Sequence, residues 1–142
     1  QVKKEEVEVS ENTKEYKEWK SKELNKDRNF VSKGWGYEDW IVNTERYCGK
    51  VLFFKKGKKC SWHYHKIKDE TFYVQSGEVE LIYGYDEDIN SVSTQTVILK
   101  DGDSFYIPTG LIHRAVAVKD TYVYEFSTQH FNSDSYRIIN GD

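Results

Sequence analysis

Two histidines one residue apart, followed five residues later by a glutamate, are the residues of this chain that could bind a metal ion. His63, His65 and Glu70 lie in the stretch GKKCSWHYHKIKDETFYVQSG, residues 57–77. Side chains at positions i and i+2 of a strand point to the same side, so both imidazoles would project together from CSWHYH. Glu70 immediately precedes the next run, TFYVQSG, from which a carboxylate can return to the same cavity. A His-x-His pair alone is also typical of a solvated strand surface.

A third histidine follows in the stretch GDSFYIPTGLIH, residues 102–113. Pro108, the single proline, fixes φ where the run SFYIP ends, and Gly110 permits the turn before HRAVAV. His113 is therefore the first residue of a strand that can reach the cavity of His63 and His65. This third histidine favours a metal site over a solvated surface.

The elements that must position these residues are strands. From Phe30 onward, short runs rich in β-branched and aromatic residues are separated by clusters of Gly, Asp, Asn and Lys. Strands at this spacing without intervening helices indicate a sandwich or barrel, and 142 residues suffice for one all-β domain. The runs are EDWIVN, YCGKVLFF, CSWHYH, TFYVQSG, EVELIYG, TVILK, SFYIP, HRAVAV and TYVYEFS.

The N-terminal residues have a different composition. Residues 1–28 are mostly Lys, Glu, Asn and Ser, with a weak helical stripe at Tyr16, Trp19 and Leu24. We expect a charged N-terminal arm or helix over residues 1–29 and a barrel over residues 30–142.

Composition also limits the partners and the compartment. The 24 acidic and 21 basic residues are mixed along the chain and give a net charge of −3, so no basic face indicates a nucleic-acid partner. No apolar run approaches the roughly 20 residues that span a bilayer, and no N-terminal pattern resembles a signal peptide. We therefore expect a soluble cytoplasmic protein without a membrane partner. We interpret Cys48 and Cys60, too few for a disulfide framework, as reduced packing residues.

The two stretches together follow the patterns G(x)5HxH(x)4E(x)6G and G(x)5PxG(x)2H. This two-part signature resembles that of the cupin superfamily. The resemblance implies an all-β double-stranded β-helix, the cupin jelly-roll barrel, with a short N-terminal helical arm here. It also implies that His63, His65, Glu70 and His113 bind a divalent transition metal, one of Zn, Mn, Fe, Co or Ni. Ala117 stands where many cupins have an asparagine that is not a ligand.

Further segments resemble one cupin branch, the metal-dependent mannose-6-phosphate isomerases. These segments are SKGWGYEDWI, YCGKVLFFKKG, SWHYHKIKDE, SFYIPTGLIHR and EFSTQHFNSDSYRIINGD. Two positions depart from that branch: His63 replaces a typical Gln, and Lys68 replaces an Arg two residues before the ligand Glu70. The branch implies interconversion of an aldose and a ketose.

Such a reaction needs a group that moves a proton, and Lys68 and Glu125 are the candidates. Alternation in TYVYEFS places Glu125 with Val123 and opposite the aromatic residues, although an edge position facing solvent is the alternative. Lys68 matches a residue that approaches the substrate in the related branch, but it lies in the charged loop HKIKD, where a lysine is commonly solvated.

Three further basic residues have weaker assignments. Arg137 could bind a phosphate or carboxylate group bidentately. Arg114 points opposite to His113, so we expect it on the outside. We expect His130 to lie at the surface or to pack the tail.

Three function classes remain open. The first is a sugar or sugar-phosphate aldose–ketose isomerase of the mannose-6-phosphate type, with a small-molecule sugar as its partner. The second is a cupin dioxygenase or lyase, which needs only the same four ligands. The third is a non-catalytic sugar-binding or regulatory cupin. EDWIVN and the N-terminal stripe offer apolar surface beyond the needs of one small barrel, so we also expect a homodimer.

Overall fold

The structure is a computed structural model that describes Lys14, Lys17 and residues 28–142. Within residues 28–142 the regular structure consists of strands and one short 3₁₀ helix, Asn132–Asp134. The strands are β1 (Asn29–Lys33), β2 (Gly36–Asn43), β3 (Cys48–Phe54), β4 (Trp62–Tyr64), β5 (Glu70–Ser76), β6 (Glu78–Gly84), β7 (Gln95–Lys100), β8 (Ser104–Ile107), β9 (Ile112–Ala117), β10 (Thr121–Ser127) and β11 (Tyr136–Ile139).

The strands form two antiparallel sheets. One sheet has six strands in the order β1-β2-β3-β10-β5-β8, and the other has five in the order β11-β4-β9-β6-β7. After β3, each strand except β7 lies in the other sheet from the strand before it, so the chain crosses repeatedly between the sheets as in a jelly roll. The predicted class, an all-β jelly-roll barrel of the double-stranded β-helix type, is confirmed.

The core lies between the two sheets and follows from the period-2 alternation of each strand. In β10, for example, Val123 and Glu125 are buried, while Phe126 faces outward. Full burial of each large apolar side chain stabilises the fold by about 1.5–3 kcal/mol. The buried core residues are Trp35, Leu52, Phe54, Cys60, Phe72, Val74, Val79, Leu81, Leu99, Ile107, Leu111, Ala115, Ala117 and Val123.

Glycines at two turns have a backbone conformation that other residues rarely adopt. Gly36 begins β2 with φ of 155°, and a Cβ there would lie 1.7 Å from the carbonyl oxygen of Phe53 on the neighbouring strand. Gly57, after β3, has φ of 82°, but a Cβ there would meet open space. Gly36 therefore permits close backbone approach, whereas Gly57 only permits the turn.

All nine predicted strand runs correspond to strands of the structure. Two strands were not predicted: β1 at the edge of the six-stranded sheet and β11 at the edge of the five-stranded sheet. The expected arm over residues 1–29 lies almost entirely outside the described residues; Asn29 already belongs to β1, and Lys14 and Lys17 are helical and exposed. The described residues include no helix with the length and apolar character needed to cross a bilayer.

The prediction that Arg114 lies outside is wrong. Its side chain is buried. Its Nε donates to the carbonyl of Cys60 at 2.9 Å, and its Nη2 donates to the carbonyl of Asn140 at 3.0 Å. The C-terminal residues thus cover a face that the sequence pattern assigned to solvent. The interpretation of Cys48 and Cys60 as reduced packing residues is confirmed, since both are buried and free.

Candidate metal centre

The three histidines lie on, or directly after, two neighbouring strands of the five-stranded sheet. His63 on β4 and His113 on β9 are direct partners in the antiparallel register, and His65 immediately follows β4. One ring nitrogen from each of the three lies within 4.8 Å of the others. The predicted meeting of the three imidazoles is therefore present, and these residues could hold a metal ion.

Main-chain carbonyls hold all three imidazole rings in one tautomer. The Nδ1 atoms lie 2.9 Å from the carbonyl oxygen of Ser61 for His63, 3.0 Å from that of Asp134 for His65, and 3.0 Å from that of Leu111 for His113. A carbonyl oxygen can only accept, so in each neutral ring Nδ1 carries the proton. Each Nε2 is then left with a lone pair, as a metal ligand requires.

The carboxylate of Glu70 reaches this group of nitrogens from the opposite sheet. Its Oε2 atom lies 3.1 Å from Nε2 of His65 and 3.2 Å from Nε2 of His113. With the protons on Nδ1, these contacts bring acceptors together without a hydrogen between them. Accordingly, Glu70 Oε2 and His113 Nε2 are buried and have no hydrogen-bond partner among the described residues. Two ligands bound at about 2.0–2.2 Å to one cation lie roughly 3–3.5 Å apart, so the spacing fits a shared metal ion.

The protonation states also fit a cation. Burial alone would raise the pKa of Glu70, but the Lys68 ammonium holds that pKa well below its usual range. Burial, together with His113 and His65, lowers the pKa of His63 well below its ordinary value. At neutral pH the carboxylate is therefore ionised and this imidazole is neutral.

A cavity of about 560 Å³ opens beside the histidines. The lining from the six-stranded sheet includes the apolar Leu52 and Phe54 and the charged Lys50 and Glu125. From the five-stranded sheet, the basic Arg137 also lines the cavity. The cavity is large enough for a small polar molecule next to the metal ligands.

Lys68 and Glu125, the two predicted proton-transfer candidates, form one buried pair in this cavity. The Lys68 Nζ atom donates to Glu125 Oε2 at 2.9 Å and lies 3.6 Å from Glu70 Oε1. Ser127 Oγ also donates to Glu125 Oε2 at 3.0 Å. Burial would lower the pKa of Lys68, but the carboxylates of Glu125 and Glu70 raise it, so the ammonium stays charged. Neither side chain is in the solvated position that was its alternative.

Arg137, the predicted anion-binding residue, lies at the cavity's exposed rim. It is on the edge strand β11 and pairs in register with His63, so the two side chains leave the same side of the sheet. The guanidinium has no hydrogen bond or ion pair within the described part of the chain. It is therefore available to an anionic group of a bound molecule.

Several polar residues of the cavity were not assigned from the sequence. His130, expected at the surface or in tail packing, contacts Lys68 Nζ through Nδ1 at 3.1 Å and lies against the Trp40 ring. Burial and the Lys50 and Lys68 ammonium groups lower the pKa of His130 to about 4. Glu38 accepts from Trp40 Nε1 at 2.8 Å and from Lys50 Nζ at 3.3 Å.

Part of this could have been found from the sequence. In YCGKVLFF, Lys50 stands two and four residues before the buried Leu52 and Phe54, so strand periodicity predicts that it shares their inner face. Another buried carboxylate, that of Asp134, accepts hydrogen bonds from the main chain between His65 and Glu70. No periodic signal marks Asp134, because it lies in a single 3₁₀ turn.

Comparison with known proteins gives the same fold from independent matches. The family model for the cupin domain matches residues 50–126, more than half of the chain. Over 80 residues, which are 56% of this chain and 14% of the relative, the sequence is 30% identical to a mannose-1-phosphate guanylyltransferase of Sinorhizobium fredii. The chain thus spans about a seventh of the length of that curated relative.

Solved structures with low sequence identity share the architecture. The capsular polysaccharide assembling protein CapF from Staphylococcus aureus aligns with a TM-score of 0.68 and 19% identity, over 79% of this chain and 32% of CapF. KdgF from Halomonas sp. gives 0.62 and 20%, over 78% of this chain and 94% of KdgF. Oxalate decarboxylase from Bacillus subtilis gives 0.65 and 19%, over 79% and 30%. At this identity the likeness concerns the fold.

Proposed function

The chain belongs to the cupin family, and on that premise we propose that it is a metal-dependent aldose–ketose isomerase acting on a sugar or sugar phosphate. One observation carries the proposal: a buried ion pair, Lys68 and Glu125, lies against the candidate metal ligand Glu70 in a single cavity. A site for a Lewis acid and a site for proton transfer are the two requirements of this reaction. The similarity to a mannose-1-phosphate guanylyltransferase supports a sugar phosphate as the substrate class.

In this proposal His63, His65, His113 and Glu70 hold the cation. Three imidazoles and one carboxylate suit Zn, Mn, Fe, Co or Ni, and affinity order alone does not choose among them. When bound, the cation supplies a Lewis acid that polarises neighbouring carbonyl and hydroxyl oxygens of the sugar. The fixed Nδ1–H tautomers keep the Nε2 lone pairs directed to this position without reorganisation.

In this proposal, the two residues of the buried pair, Glu125 and Lys68, have different roles in the reaction. Glu125 is the base: its carboxylate takes the proton from C2 of the aldose and returns it to C1, while the hydroxyl proton passes from O2 to O1. Lys68 is held as an ammonium by Glu125 and Glu70, so it acts as a hydrogen-bond donor to the oxygen that gains negative charge. Arg137 at the rim binds the phosphate or another anionic group of the substrate.

The test is isomerase activity of the metal-loaded full chain on a panel of free sugars and sugar phosphates, with and without chelator. We expect reversible aldose–ketose interconversion that chelator abolishes and a divalent ion restores. Solvent deuterium should enter C1 or C2 of the product, because Glu125 exchanges its proton with water between the two steps. Glu125→Gln should lose turnover while it retains the metal, since the amide of the variant cannot take up a proton.

Other outcomes separate the remaining function classes. Substrate-dependent oxygen consumption would support a dioxygenase, for which the same four ligands suffice. Tight sugar binding without turnover or deuterium uptake would support a non-catalytic sugar-binding or regulatory cupin. Either result would overturn the isomerase proposal and leave the metal centre in place.

A further inference from the structure

The buried carboxylate of Asp134 binds the loop between two of the proposed ligands, His65 and Glu70. Asp134 Oδ1 accepts from the backbone N–H groups of Lys66 at 2.9 Å and Ile67 at 3.1 Å, and Oδ2 accepts from that of Lys68 at 3.0 Å. Residues 66–68 lie between His65 and Glu70, and they carry the Lys68 side chain into the cavity. The conformation of this loop therefore depends on a residue 66 positions or more further along the chain.

The same residue also holds an imidazole. The Asp134 carbonyl oxygen lies 3.0 Å from Nδ1 of His65 and accepts a hydrogen bond from its N–H group. Asp134 is itself fixed, since its N–H donates to the carbonyl of Phe131 at 2.9 Å and its side chain is 2% exposed. Side chain and main chain of one residue thus act on two parts of the site.

A carboxylate at position 134 can accept more hydrogen bonds from these backbone N–H groups than an amide could. Its two oxygens receive three N–H donors, whereas the asparagine side chain has a single acceptor oxygen and would turn an NH2 group toward N–H groups. Within residues 28–142, no Lys, Arg or His side chain forms an ion pair with Asp134. Its charge is compensated chiefly by the loop N–H groups, as in an anion-binding turn.

We propose that Asp134 is a positioning residue of the metal centre. Its carboxylate fixes the loop 66–68 and its carbonyl fixes the His65 ring, so that His65 Nε2 and the Lys68 ammonium face the same cavity. This inference rests on the metal centre proposed above, and it is independent of which reaction the centre catalyses.

The experiment compares Co²⁺ binding by the wild-type chain, by Asp134→Asn and by a control variant. Outer residues that orient metal ligands typically contribute about 10- to 100-fold to metal affinity, and we expect Asp134→Asn to weaken Co²⁺ binding by that factor. We also expect the visible absorption spectrum of bound Co²⁺ to change, because a rotated His65 alters the ligand field. A residue that only stabilised the fold would leave this spectrum unchanged.

Thr121→Val is the matched control. Thr121 is fully buried and its Oγ1 accepts from the N–H of Glu78 at 3.0 Å, so this variant also loses a buried cap between distant segments. It lies at the end of β10 away from Ser127, which pairs with Glu70. We expect it to lower the unfolding temperature while Co²⁺ affinity and spectrum stay as in the wild type.

A second measurement needs no variant and covers the case that Asp134→Asn does not fold. In the wild-type chain, the amide hydrogens of Lys66, Ile67 and Lys68 should exchange slowly, although the side chains of Lys66 and Ile67 are exposed. Ring ¹⁵N NMR should find the His65 proton on Nδ1.

The outcomes distinguish the two levels of the proposal. Unchanged Co²⁺ affinity and spectrum in Asp134→Asn, or rapid exchange of the three amides, would overturn the role of Asp134 alone. Failure of the wild-type chain to bind Co²⁺ would overturn the metal centre and the positioning role together.

Discussion

At the scale of single residues, the candidate centre is oriented by atoms that do not belong to its candidate ligands. Main-chain carbonyls of Ser61, Asp134 and Leu111 fix which nitrogen of each imidazole carries the proton. The candidate ligand side chains therefore need little reorganisation to bind a cation. Folding already brings the carboxylate oxygen and the imidazole nitrogens together without hydrogen bonds between them, which costs free energy. Metal binding should accordingly stabilise the folded chain.

Glu70→Gln tests the carboxylate ligand. We expect metal affinity to fall by at least about tenfold, because the anionic ligand is lost, while the barrel remains folded. Metal content by mass spectrometry and circular dichroism of the variant measure the two effects. Glu80→Gln, a carboxylate on β6 that does not line the cavity, is the control and should keep full metal content. Full occupancy in a His63→Ala, His113→Ala double variant would contradict the ligand assignment.

Arg137→Ala tests recognition of an anionic substrate. Hydrogen bonds to a charged group contribute about 1.5–3 kcal/mol, so we expect KM for a phosphorylated sugar to rise about tenfold to a hundredfold. The KM for the neutral sugar and both kcat values should change little, because the guanidinium binds ground state and transition state alike. Arg46→Ala, in an exposed turn outside the cavity, is the control. An equal rise in KM for both sugars would exclude the assigned role of Arg137.

The pKa of His130, lowered to about 4, predicts a pH dependence of stability. Between the ordinary pKa of about 6.5 and a pH of about 4, the unfolded chain binds a proton at this residue that the folded chain does not. The free energy of unfolding should therefore decrease as the pH falls through this window. In urea titrations of chelator-treated protein, His130→Gln should show a smaller decrease than the wild type.

Asn132→Ala is the control for that measurement. It removes the partner of His130 Nε2 but leaves the imidazole and its two ammonium neighbours. Between about pH 6.5 and about pH 5 its decrease should match that of the wild type. If His130→Gln shows the wild-type decrease, His130 does not titrate as inferred.

At this scale, the residues that the sequence could identify are those with strand periodicity or characteristic spacing. His63, His65, Glu70 and His113 have both, and Glu125 is placed inward by alternation alone. Asp134 and His130 follow the last core strand and act through contacts with residues 62–69 positions away. Such contacts depend on the path of the C-terminal segment, which no local pattern encodes.

At the scale of elements, the site exists because the two sheets direct different side chains into one cavity. His63 and His113 come from the five-stranded sheet, and Glu70 and Glu125 come from the six-stranded sheet. The nine predicted strands have clear runs of β-branched and aromatic residues between turn residues. β1 and β11 were missed because each is a short edge strand of four or five residues whose partner is needed to define it.

Gly36 and Gly57 form a matched pair for testing the turns. Both have positive φ, so alanine at either position costs about 1–2 kcal/mol of conformational strain. At Gly36 the Cβ also collides with the Phe53 carbonyl, and we expect a total loss on the order of 3–5 kcal/mol. Urea denaturation measures both variants. Similar losses for Gly36→Ala and Gly57→Ala would contradict the close approach of β2 and β3.

At the scale of the whole molecule, exposed aromatic residues on one sheet favour self-association. Phe126 and Tyr106 are 57% and 56% exposed, and both pair with Thr71 in one row across β10, β5 and β8. This row belongs to the outer face of the six-stranded sheet, away from the cavity. An isologous contact through this face would form a homodimer without blocking the site.

Phe126→Lys tests this interface. At tens of micromolar, we expect light scattering to find a dimer for the wild-type chain and a monomer for the variant, because a charge is costly to bury in an apolar contact. Val92→Lys is the control, because Val92 is fully exposed in the loop between β6 and β7. A monomeric wild-type chain at that concentration would refute the dimer, and a dimeric Phe126→Lys would place the interface elsewhere.

The edge strand β11 has an evolutionary consequence. Its four residues are all exposed and none belongs to the core cluster, yet Arg137 on this strand is the register partner of the candidate ligand His63. Substitutions at residue 137 should therefore cost the fold little, while they alter a side chain at the rim of the cavity. Natural selection, or a library randomised at this position, could diversify the accepted compounds while the candidate ligand residues and their supporting bonds are inherited unchanged.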